Sequence, residues 1–349
     1  FVIFVEGGSM LSAKALQDWF SYTGQEGSTR YMNFGTQRFM NPLGTPEGDR
    51  INENWRRFYV DNYPLVVANL KERFPKGDDE DQSKYDKAID ARAFDIMRGF
   101  LPAGATTKLS WGMNLRQAAD QLARLRHHPL LEVREIASGI EEALMERYPS
   151  SFCHKDKIEP KRYEETEKFN KRWMQDHYYF HFLSDPGFSG DRRFFHRRRL
   201  SLYKEVLEAR PAKTDVPKEL ASCGTIEMNF CLDFASFRDL QRHRAVNQRM
   251  PILELVGGFE SWYLEELPDA VRDLAQDVLL SQEQAIRALK IRPEEKQYYI
   301  AMGYRIECEI VGSLPAIVYL VELRATRFVH PTLRKRALQM AEYLEREFS

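Results

Sequence analysis

Two regions of the chain carry the same features in the same order, and this repetition limits the folds that the chain can adopt. In each region a β-type run leads into a helical pattern that closes on Leu-Gln, at Leu16-Gln17 and at Leu240-Gln241. Further along, each has a Leu-Pro, a Leu-Arg and a His-Pro step before a charged amphipathic helix. These steps are Leu101-Pro102, Leu125-Arg126 and His128-Pro129, then Leu314-Pro315, Leu323-Arg324 and His330-Pro331. The strand-to-helix unit and the later series of dipeptides follow in the same order in both regions, which indicates an internal duplication.

The duplication predicts two repeats joined by a connector. The repeats would span residues 1–150 and 200–349, and a mostly helical connector would span residues 151–199. Each repeat opens with a strand that runs into a helix, and Asp233 is the expected N-cap of the second such helix. Strands interspersed with long helical patterns predict an α+β fold. Because the β-type run at Phe1 lacks an initiator Met, we expect the natural chain to begin further upstream.

Composition excludes some classes of function. Lys and Arg total 51 and Asp and Glu total 52, so no overall field favours nucleic acid or a membrane surface, and any anion site must be local. The most apolar stretch, 310–321, is too short to cross a bilayer. The cysteines are Cys153, Cys223, Cys231 and Cys308. Their wide spacing disfavours a metal site and favours a reducing compartment, so we predict a cytoplasmic protein without a metal.

Several polar residues stand where an anion could be held. Glu26, Ser28 and Arg30 alternate, so in extended geometry they would line one wall able to hold a phosphate. Arg98 precedes Leu101-Pro102, where the proline fixes the end of a helix. The other candidates lie near the ends of predicted helices: Asn114, Arg116, Arg124, Arg126, Arg242, His243 and Arg244. Taken singly, these features are more typical of a solvated surface than of a binding site.

In combination these residues resemble the flavin-dependent thymidylate synthase family. Its motif places Arg-His-Arg before Glu-x-Ser-x-Arg-Tyr, followed by Arg-x-x-Leu-Pro, Asn-Leu-Arg and Leu-Arg. The first repeat has every part except Arg-His-Arg, at whose position Asp18-Trp19-Phe20 stands. The second repeat keeps Arg242-His243-Arg244 but has lost Glu-x-Ser-x-Arg, and Val311 replaces the arginine before Leu314-Pro315. The resemblance implies two fused copies of the family fold, each a mixed sheet flanked by helices.

The resemblance also implies roles for individual residues. The phosphate and sugar of deoxyuridine monophosphate would be bound by Ser28, Arg30, Arg98 and Arg242, with Glu26 near the sugar or the flavin. FAD would be approached by Arg242, His243, Arg244, Asn114 and Arg116. Either Arg124 or Arg126 would contact the uracil ring as the catalytic residue. The Leu-Arg pair favours Arg126, whereas counting back from Glu132 favours Arg124. NADPH and methylenetetrahydrofolate would be co-substrates.

The two half-motifs complement each other. Enzymes of the family are homotetramers in which Arg-His-Arg of one subunit and Glu-x-Ser-x-Arg of another frame each nucleotide site. A fused duplicate that lost opposite halves would still assemble complete sites from Arg242–Arg244 and Glu26–Arg30. Such a chain is expected to form a homodimer equivalent to the family tetramer.

Other interpretations remain open. The protein could be a family flavoenzyme that modifies another pyrimidine nucleotide, or a non-catalytic relative that binds nucleotides or nucleic acid. His177 and His181 have the spacing of a metal pair on one helix face, although aromatic packing explains them better. The basic run 192–199 suits nucleic acid, but the neutral total favours a solvated helix face.

Overall fold

The computed structural model describes residues 1–152, 159–180, 187–192 and 194–348. They form two compact units. Unit 1 consists of residues 1–179 and 252–304, and unit 2 consists of residues 180–251 and 305–349. The proposed repeats are defined by common ancestry, whereas the two units are defined by contacts within each unit. The limits of the repeats therefore stay a prediction.

The secondary structure alternates short strands with longer helices. In chain order, the strands are β1 (Val2–Ser9), β2 (Thr106–Gly112), β3 (Phe188–Asp191), β4 (Thr225–Asp233), β5 (Asn247–Arg249) and β6 (Arg305–Ser313). The helices are α1 (Met10–Gln17), α2 (Pro46–Arg73), α3 (Gln82–Met97), α4 (Leu115–Leu125), α5 (Leu131–Arg147), α6 (Pro149–Phe152), α7 (Pro160–Tyr178), α8 (Arg197–Ser201), α9 (Lys204–Glu208), α10 (Phe234–Leu240), α11 (Ser261–Glu265), α12 (Asp269–Ala288), α13 (Pro293–Lys296), α14 (Leu314–Arg324) and α15 (Pro331–Phe348).

Unit 1 is built on the antiparallel pair β1 and β2. Ser9 lies opposite Thr106 at one end of the pair and Val2 lies opposite Gly112 at the other. Residues 23–26 run along the second edge of β2. Helices supply most of the core, in which the buried Trp55 of α2 donates its indole N–H to the carbonyl of Tyr299 at 2.9 Å. The long helix α2 thereby fixes the chain that leads out of α13.

Unit 2 contains a four-stranded sheet in the order β3, β4, β6, β5. Asp233 ends β4 and accepts a hydrogen bond from the Ser236 backbone N–H at 2.9 Å, which confirms it as the N-cap of α10. Helix α15 is tied to the same strand, because Arg336 Nε donates to the Cys231 carbonyl at 2.7 Å. Strand β4 is therefore held on both sides by strands and at its end by helices.

Both repeats contain the same order of elements. The first runs β1, α1, α2, α3, a 3-10 helix at Arg98–Phe100, β2, α4 and α5. The second runs β4, α10, α12, α13, a 3-10 helix at Gln297–Tyr299, β6, α14 and α15, with short additions. In each, the first and last strands pair antiparallel. This parallel order is what the duplication predicts.

The α+β class is confirmed, but the predicted mixed sheet is wrong. All pairings between the strands of the described residues are antiparallel. The reason is that β1 and β2 each lead directly into a helix, and their opposite directions place α1 and α4 at opposite ends of the pair. Within the described part of the chain, no helix is both long and apolar enough to cross a membrane.

The cysteines and histidines add no metal site among the described residues, where no suitable cluster of His, Cys, Asp or Glu occurs. Cys223, Cys231 and Cys308 are buried. Cys153 and His181 lie outside the described residues. His177 faces Asp18, with 3.6 Å between Nε2 and Oδ2, and its ring packs against that of Tyr178, as the favoured aromatic packing predicts.

Candidate functional site

The segment that carries Glu26, Ser28 and Arg30 changes conformation within the motif. Its first part is extended along β2, since the Gly27 N–H donates to the Lys108 carbonyl at 2.8 Å. From Thr29 to Tyr31 the chain forms a 3-10 helix. The predicted extended wall is therefore wrong beyond Ser28, because a 3-10 turn no longer alternates side chains between two faces.

Arg30 and Arg98 nevertheless converge on one point. Arg30 Nη2 lies 2.7 Å from Asp95 Oδ2, and Arg98 Nη1 lies 4.0 Å from Asp95 Oδ1. The Arg98 side chain is 11% exposed, whereas that of Arg30 is 47% exposed. The two guanidinium groups thus share one carboxylate, in a place that is partly shielded from solvent.

Arg98 is positioned as the sequence predicts. Helix α3 ends at Met97, a 3-10 helix covers Arg98–Phe100, and Leu101-Pro102 continues in extended conformation.

Glu26 precedes Arg30 by four residues and has a different hydrogen-bond partner, since Gln17 Nε2 donates to Glu26 Oε2 at 3.0 Å. Glu26 is thus oriented from the end of α1.

Asn114 and Arg116 mark the start of α4. The Asn114 side-chain oxygen accepts from the Gln117 N–H at 2.9 Å, so Asn114 is the N-cap of this helix. Arg116 is exposed in the first turn. The placement of both residues at a helix start is confirmed, and the positive end of the helix dipole adds to the charge of Arg116.

The two candidates for a base contact have different environments. Arg126 is the C-cap of α4, and its Nη1 lies 3.4 Å from Glu141 Oε1. The Arg124 guanidinium carbon lies 4.1 Å from the ring centre of Trp19 and 4.0 Å from that of Trp173. Arg126 therefore has an ionic partner, and Arg124 has aromatic ones.

Asp18-Trp19, at the place of the missing Arg-His-Arg, forms buried contacts instead. Lys14, 3% exposed, makes an ion pair with Asp18, which also faces His177 of α7. Burial of the carboxylate opposes ionisation, but the charge of Lys14 and the hydrogen bond from His177 hold the pKa of Asp18 well below its usual range. Asp18 is therefore an ionised anchor for α7.

In unit 2, Arg242, His243 and Arg244 point in different directions. Arg242 is exposed and lies 3.4 Å from Asp239, whereas His243 is buried. Arg324 Nε donates to His243 Nε2 at 2.7 Å. Burial, followed by the positive charges of Arg324 and Arg242, lowers the pKa of His243 to about 4. The imidazole is thus a neutral acceptor near pH 7.

A cavity of about 610 Å³ opens beside this corner of unit 2. Ala245, Ser313 and Tyr319 line it, and its charged lining residues are Arg210, Lys213, Asp215, Lys218 and Glu322. The cavity lining thus carries charges of both signs beside one aromatic side chain.

The Leu-Pro steps of the two repeats are not equivalent, which corrects the correspondence expected from the sequence. Leu101-Pro102 precedes β2, whereas Leu314-Pro315 follows β6 and starts α14, where proline is well tolerated. By element order, the partner of Arg98 is Gln297, not Val311, because both begin the 3-10 helix before the last strand.

Two segments that correspond in the proposed repeats pair with each other within unit 1. The Ala103 N–H donates to the Ile300 carbonyl and the Met302 N–H to the Leu101 carbonyl, both at 2.8 Å. Two further hydrogen bonds flank this pair. The Gly104 N–H donates to the Tyr298 carbonyl at 2.9 Å, and the Gly303 N–H donates to the Gly99 carbonyl at 2.8 Å, so each segment again donates one bond to the other. Reciprocal contacts of this kind are typical of a two-fold relation.

Comparison with known proteins identifies the first repeat. The model of the family described as thymidylate synthase complementing protein matches residues 4–150. The first part of the chain is thus similar to this family, over less than half of the 349 residues. The match begins within β1 and ends within α6, and it includes Arg30, Arg98 and α4. The resemblance drawn from the motifs of the first repeat is thereby confirmed.

The similarity to whole proteins extends beyond this family domain. A UPF0159 protein of Chlamydia muridarum is 23% identical over 400 residues, which cover 97% of this chain and 73% of that protein. A UPF0159 protein of Chlamydia pneumoniae is 23% identical, with coverages of 95% and 71%. One from Thermoplasma acidophilum is 24% identical, with coverages of 81% and 62%. The second half of the chain is therefore shared with relatives as well.

Sequence reasoning missed the aromatic and ionic contacts around the family domain. Trp19, Trp173 and the Lys14–Asp18 pair were not among the expected site residues. The spacing of Lys14 and Asp18, four residues apart, was a visible signal for an ion pair. Nothing in the sequence linked Trp173 to Arg124, because the two lie in different helices.

Proposed function

We propose that the protein is a flavin-dependent thymidylate synthase that converts deoxyuridine monophosphate to thymidine monophosphate. The observation that carries the proposal is the convergence of Arg30 and Arg98 on one anion-binding point inside a thymidylate synthase complementing protein domain. FAD would be the cofactor, and NADPH and methylenetetrahydrofolate the co-substrates. When bound, the reduced flavin supplies the hydride and the folate supplies the one-carbon unit.

The nucleotide would be held at its charged end by arginines. Arg30 and Arg98 supply planar guanidinium donors, and Ser28 adds a hydroxyl from the adjoining turn. Asp95 occupies the same point, so a phosphate would have to share or replace its contact with Arg30. Glu26, oriented by Gln17, would accept a hydrogen bond from the sugar.

At the other end of the nucleotide, an arginine of α4 would contact the uracil ring. Arg124 and Arg126 are the two candidates, and either would stabilise negative charge that develops on the ring carbonyls. A guanidinium suits this role because its N–H groups lie in one plane and match ring oxygens.

The residues assigned to FAD fit that group in part. Arg116 and Arg242 present exposed guanidinium groups, and Asn114 caps the helix that carries Arg116, so these suit a pyrophosphate. His243 is committed to Arg324, so its part would be to orient that arginine while Arg242 and Arg244 approach the cofactor.

The chain would be a fused duplicate that acts as a homodimer. The shared element order and the reciprocal hydrogen bonds around Pro102 and Ala301 support two repeats, of residues 1–150 and 200–349. In the assembled protein, Arg242–Arg244 of one repeat and Glu26–Arg30 of another would serve the same nucleotide. Each chain would then bind one nucleotide rather than two.

The deciding assay is tritium release from deoxyuridine monophosphate labelled at uracil C5, with FAD, NADPH and methylenetetrahydrofolate. We expect release from the unmodified protein and none from Arg30→Ala or Arg242→Ala. Arg57→Ala is the matched control, since Arg57 is an exposed arginine paired only on the surface with Glu53. No release from a well-folded protein that retains flavin would overturn the thymidylate synthase assignment.

A second candidate is a family flavoenzyme that acts on another pyrimidine nucleotide. The observation that favours it is the replacement of Arg-His-Arg in the first repeat, because Asp18 and Trp19 make contacts with Lys14 and Arg124 where the family motif has cationic side chains. A screen of uridine and cytidine monophosphates for protection against thermal unfolding would identify such a substrate. If deoxyuridine monophosphate protects most, the second candidate is excluded.

The number of nucleotides bound per chain tests the shared-site scheme. It should be measured on the unmodified protein, because Asp18→Arg would place a second cation beside the buried Lys14 and disturb the fold. One nucleotide per chain is expected, and two per chain would contradict the loss of opposite halves.

A further inference from the structure

Helix α7 lies beyond the residues that match the family, yet it reaches the end of α4. Trp173 of α7 and Trp19, just after α1, both place their rings against the guanidinium of Arg124, at 4.0 and 4.1 Å. The guanidinium therefore makes cation–π contacts with two indole rings that come from different segments of the chain.

The guanidinium of Arg124 could donate a further hydrogen bond. Its Nη1 is buried and has no hydrogen-bond partner among the described residues. Burial lowers the pKa of Arg124, opposed only by the charge of Asp120, and an arginine remains protonated near pH 7. A buried charged donor without an acceptor is costly, so an acceptor from a ligand would complete the arrangement.

The position of Trp173 is well defined because α7 is anchored on both sides of it. Glu167 lies 2.9 Å from His127 Nε2, and His177 faces the ionised Asp18. The ring of Tyr178 packs against Lys14 and His128, with Lys14 Nζ 4.8 Å from the ring centre. These contacts fix the helix along about three turns, and with it the plane of Arg124.

We propose that α7 forms part of the nucleotide site, with Trp19 and Trp173 as positioning residues that hold the edge of Arg124 for a carbonyl of the pyrimidine ring. The inference rests on the proposed function and selects Arg124 over Arg126, which is already paired with Glu141. A coplanar ring carbonyl suits an edge flanked by indoles, and the phosphate is served by Arg30 and Arg98. The segment 18–20, which lacks Arg-His-Arg, thus contributes Trp19 to a clamp that consists of the indole rings of Trp19 and Trp173 against Arg124.

The test compares two ligands on the full chain: deoxyuridine monophosphate and deoxyribose 5-phosphate, which lacks the base. Trp173→Leu removes the aromatic face and should weaken binding of the nucleotide about five- to thirtyfold, the effect of losing one cation–π contact. Binding of the sugar phosphate should not change. Trp173→Phe restores a ring and should bring nucleotide affinity back to within about threefold of the unmodified protein.

Further variants make the result decisive. Arg124→Lys keeps the charge but loses the planar edge, so it should lose affinity for the nucleotide alone, whereas Arg126→Ala should change neither ligand. Nucleotide affinity that is unchanged in both Trp173→Leu and Arg124→Lys would overturn the inference. If Trp173→Leu does not fold, Arg124→Lys and Trp173→Phe carry the same comparison.

The failure of the inference and that of the proposed function have different signatures. If Arg30→Ala weakens both ligands while the Arg124 and Trp173 variants behave as the unmodified protein, only the clamp is wrong. If the unmodified protein binds neither ligand, the proposed function itself fails, and the clamp loses its substrate with it. Tryptophan fluorescence gives an independent readout, because a ring carbonyl at Arg124 should alter the emission from Trp19 and Trp173 and the sugar phosphate should not.

Discussion

Pro102 lies opposite Ala301 in an antiparallel bridge, and the hydrogen bonds beside this bridge are exchanged reciprocally between the two segments. Each segment follows a 3-10 helix and leads into the last strand of its repeat. Residues 99–104 and 298–303, which hold the same place in the element order of the two proposed repeats, thus pair with each other. Such self-complementary pairing is the arrangement that two subunits adopt around a two-fold axis.

This pairing predicts a sharp difference between two glycines. A Cβ at Gly104 would lie 2.5 Å from the Tyr298 carbonyl oxygen, whereas a Cβ at Gly139, inside α5, would meet nothing within 4 Å. Gly104→Ala should lower the free energy of unfolding by about 1–3 kcal/mol. Gly139→Ala should raise it by about 0.5–1 kcal/mol, because alanine favours the helix. Urea unfolding measures both, and equal effects would contradict the close approach at Gly104.

His243 predicts how stability depends on pH. Its pKa is lowered to about 4, from an unfolded value of 6.5, so below pH 6.5 the unfolded chain binds a proton that the folded chain does not. The free energy of unfolding should therefore fall as the pH decreases from 6.5 to 4, by up to about 3 kcal/mol. The loss has a direct cause, because a protonated imidazole can no longer accept from Arg324.

The control for this pH dependence is His243→Gln, which keeps an acceptor but does not titrate. Its stability should vary less between pH 6.5 and pH 4 than that of the unmodified protein. A remaining slope is expected from His128, whose pKa is also lowered by burial. Identical pH profiles for the variant and the unmodified protein would show that His243 does not titrate in this range.

Asp95 predicts a gain of ligand affinity. The carboxylate faces Arg30 and Arg98, so it competes with a phosphate for the same donors. Asp95→Asn keeps the shape and removes the charge, and it should tighten binding of deoxyuridine monophosphate about five- to tenfold, equivalent to about 1 kcal/mol. The affinity is measured by titration calorimetry at two salt concentrations. Weaker binding would instead indicate that Asp95 orients the arginines.

The sequence predicts those features that depend on contiguous residues. The two units in which a strand leads into a helix, β1 with α1 and β4 with α10, follow from local patterns, as do the N-cap at Asp233 and the end of α3 before Arg98. Local rules fail where a turn interrupts the motif, as in the 3-10 helix Thr29–Tyr31. They fail again where two similar dipeptides occupy different elements, as with Leu101-Pro102 and Leu314-Pro315.

Long-range contacts explain most of what the sequence does not reveal. Trp19 and Trp173 are separated by more than a hundred residues, and neither has a local pattern that marks it as a partner of Arg124. The antiparallel direction of β2 against β1 likewise depends on the helices between them. Tertiary packing decides these features, and packing requires the whole chain.

The ion pair of Lys14 and Asp18 predicts a strong and rescuable loss of stability. Both side chains are largely buried, at 3% and 12% exposure, so Asp18→Asn leaves the Lys14 ammonium without its countercharge. Breaking such a pair costs about 3–5 kcal/mol, whereas replacing both charges by neutral groups costs much less. The double variant Asp18→Asn with Lys14→Met should therefore recover a large part of the loss, and a double-mutant cycle measures the coupling.

Glu53→Gln, which breaks an exposed pair with Arg57, is the control and should change the free energy of unfolding by less than about 1 kcal/mol. Because the pKa of Asp18 is depressed in the folded protein, its contribution is present above the unfolded value of 3.8 and is lost as the pH falls below it. If Asp18→Asn and Glu53→Gln had equal effects, Asp18 would not be the anchor that holds α7 against the first repeat.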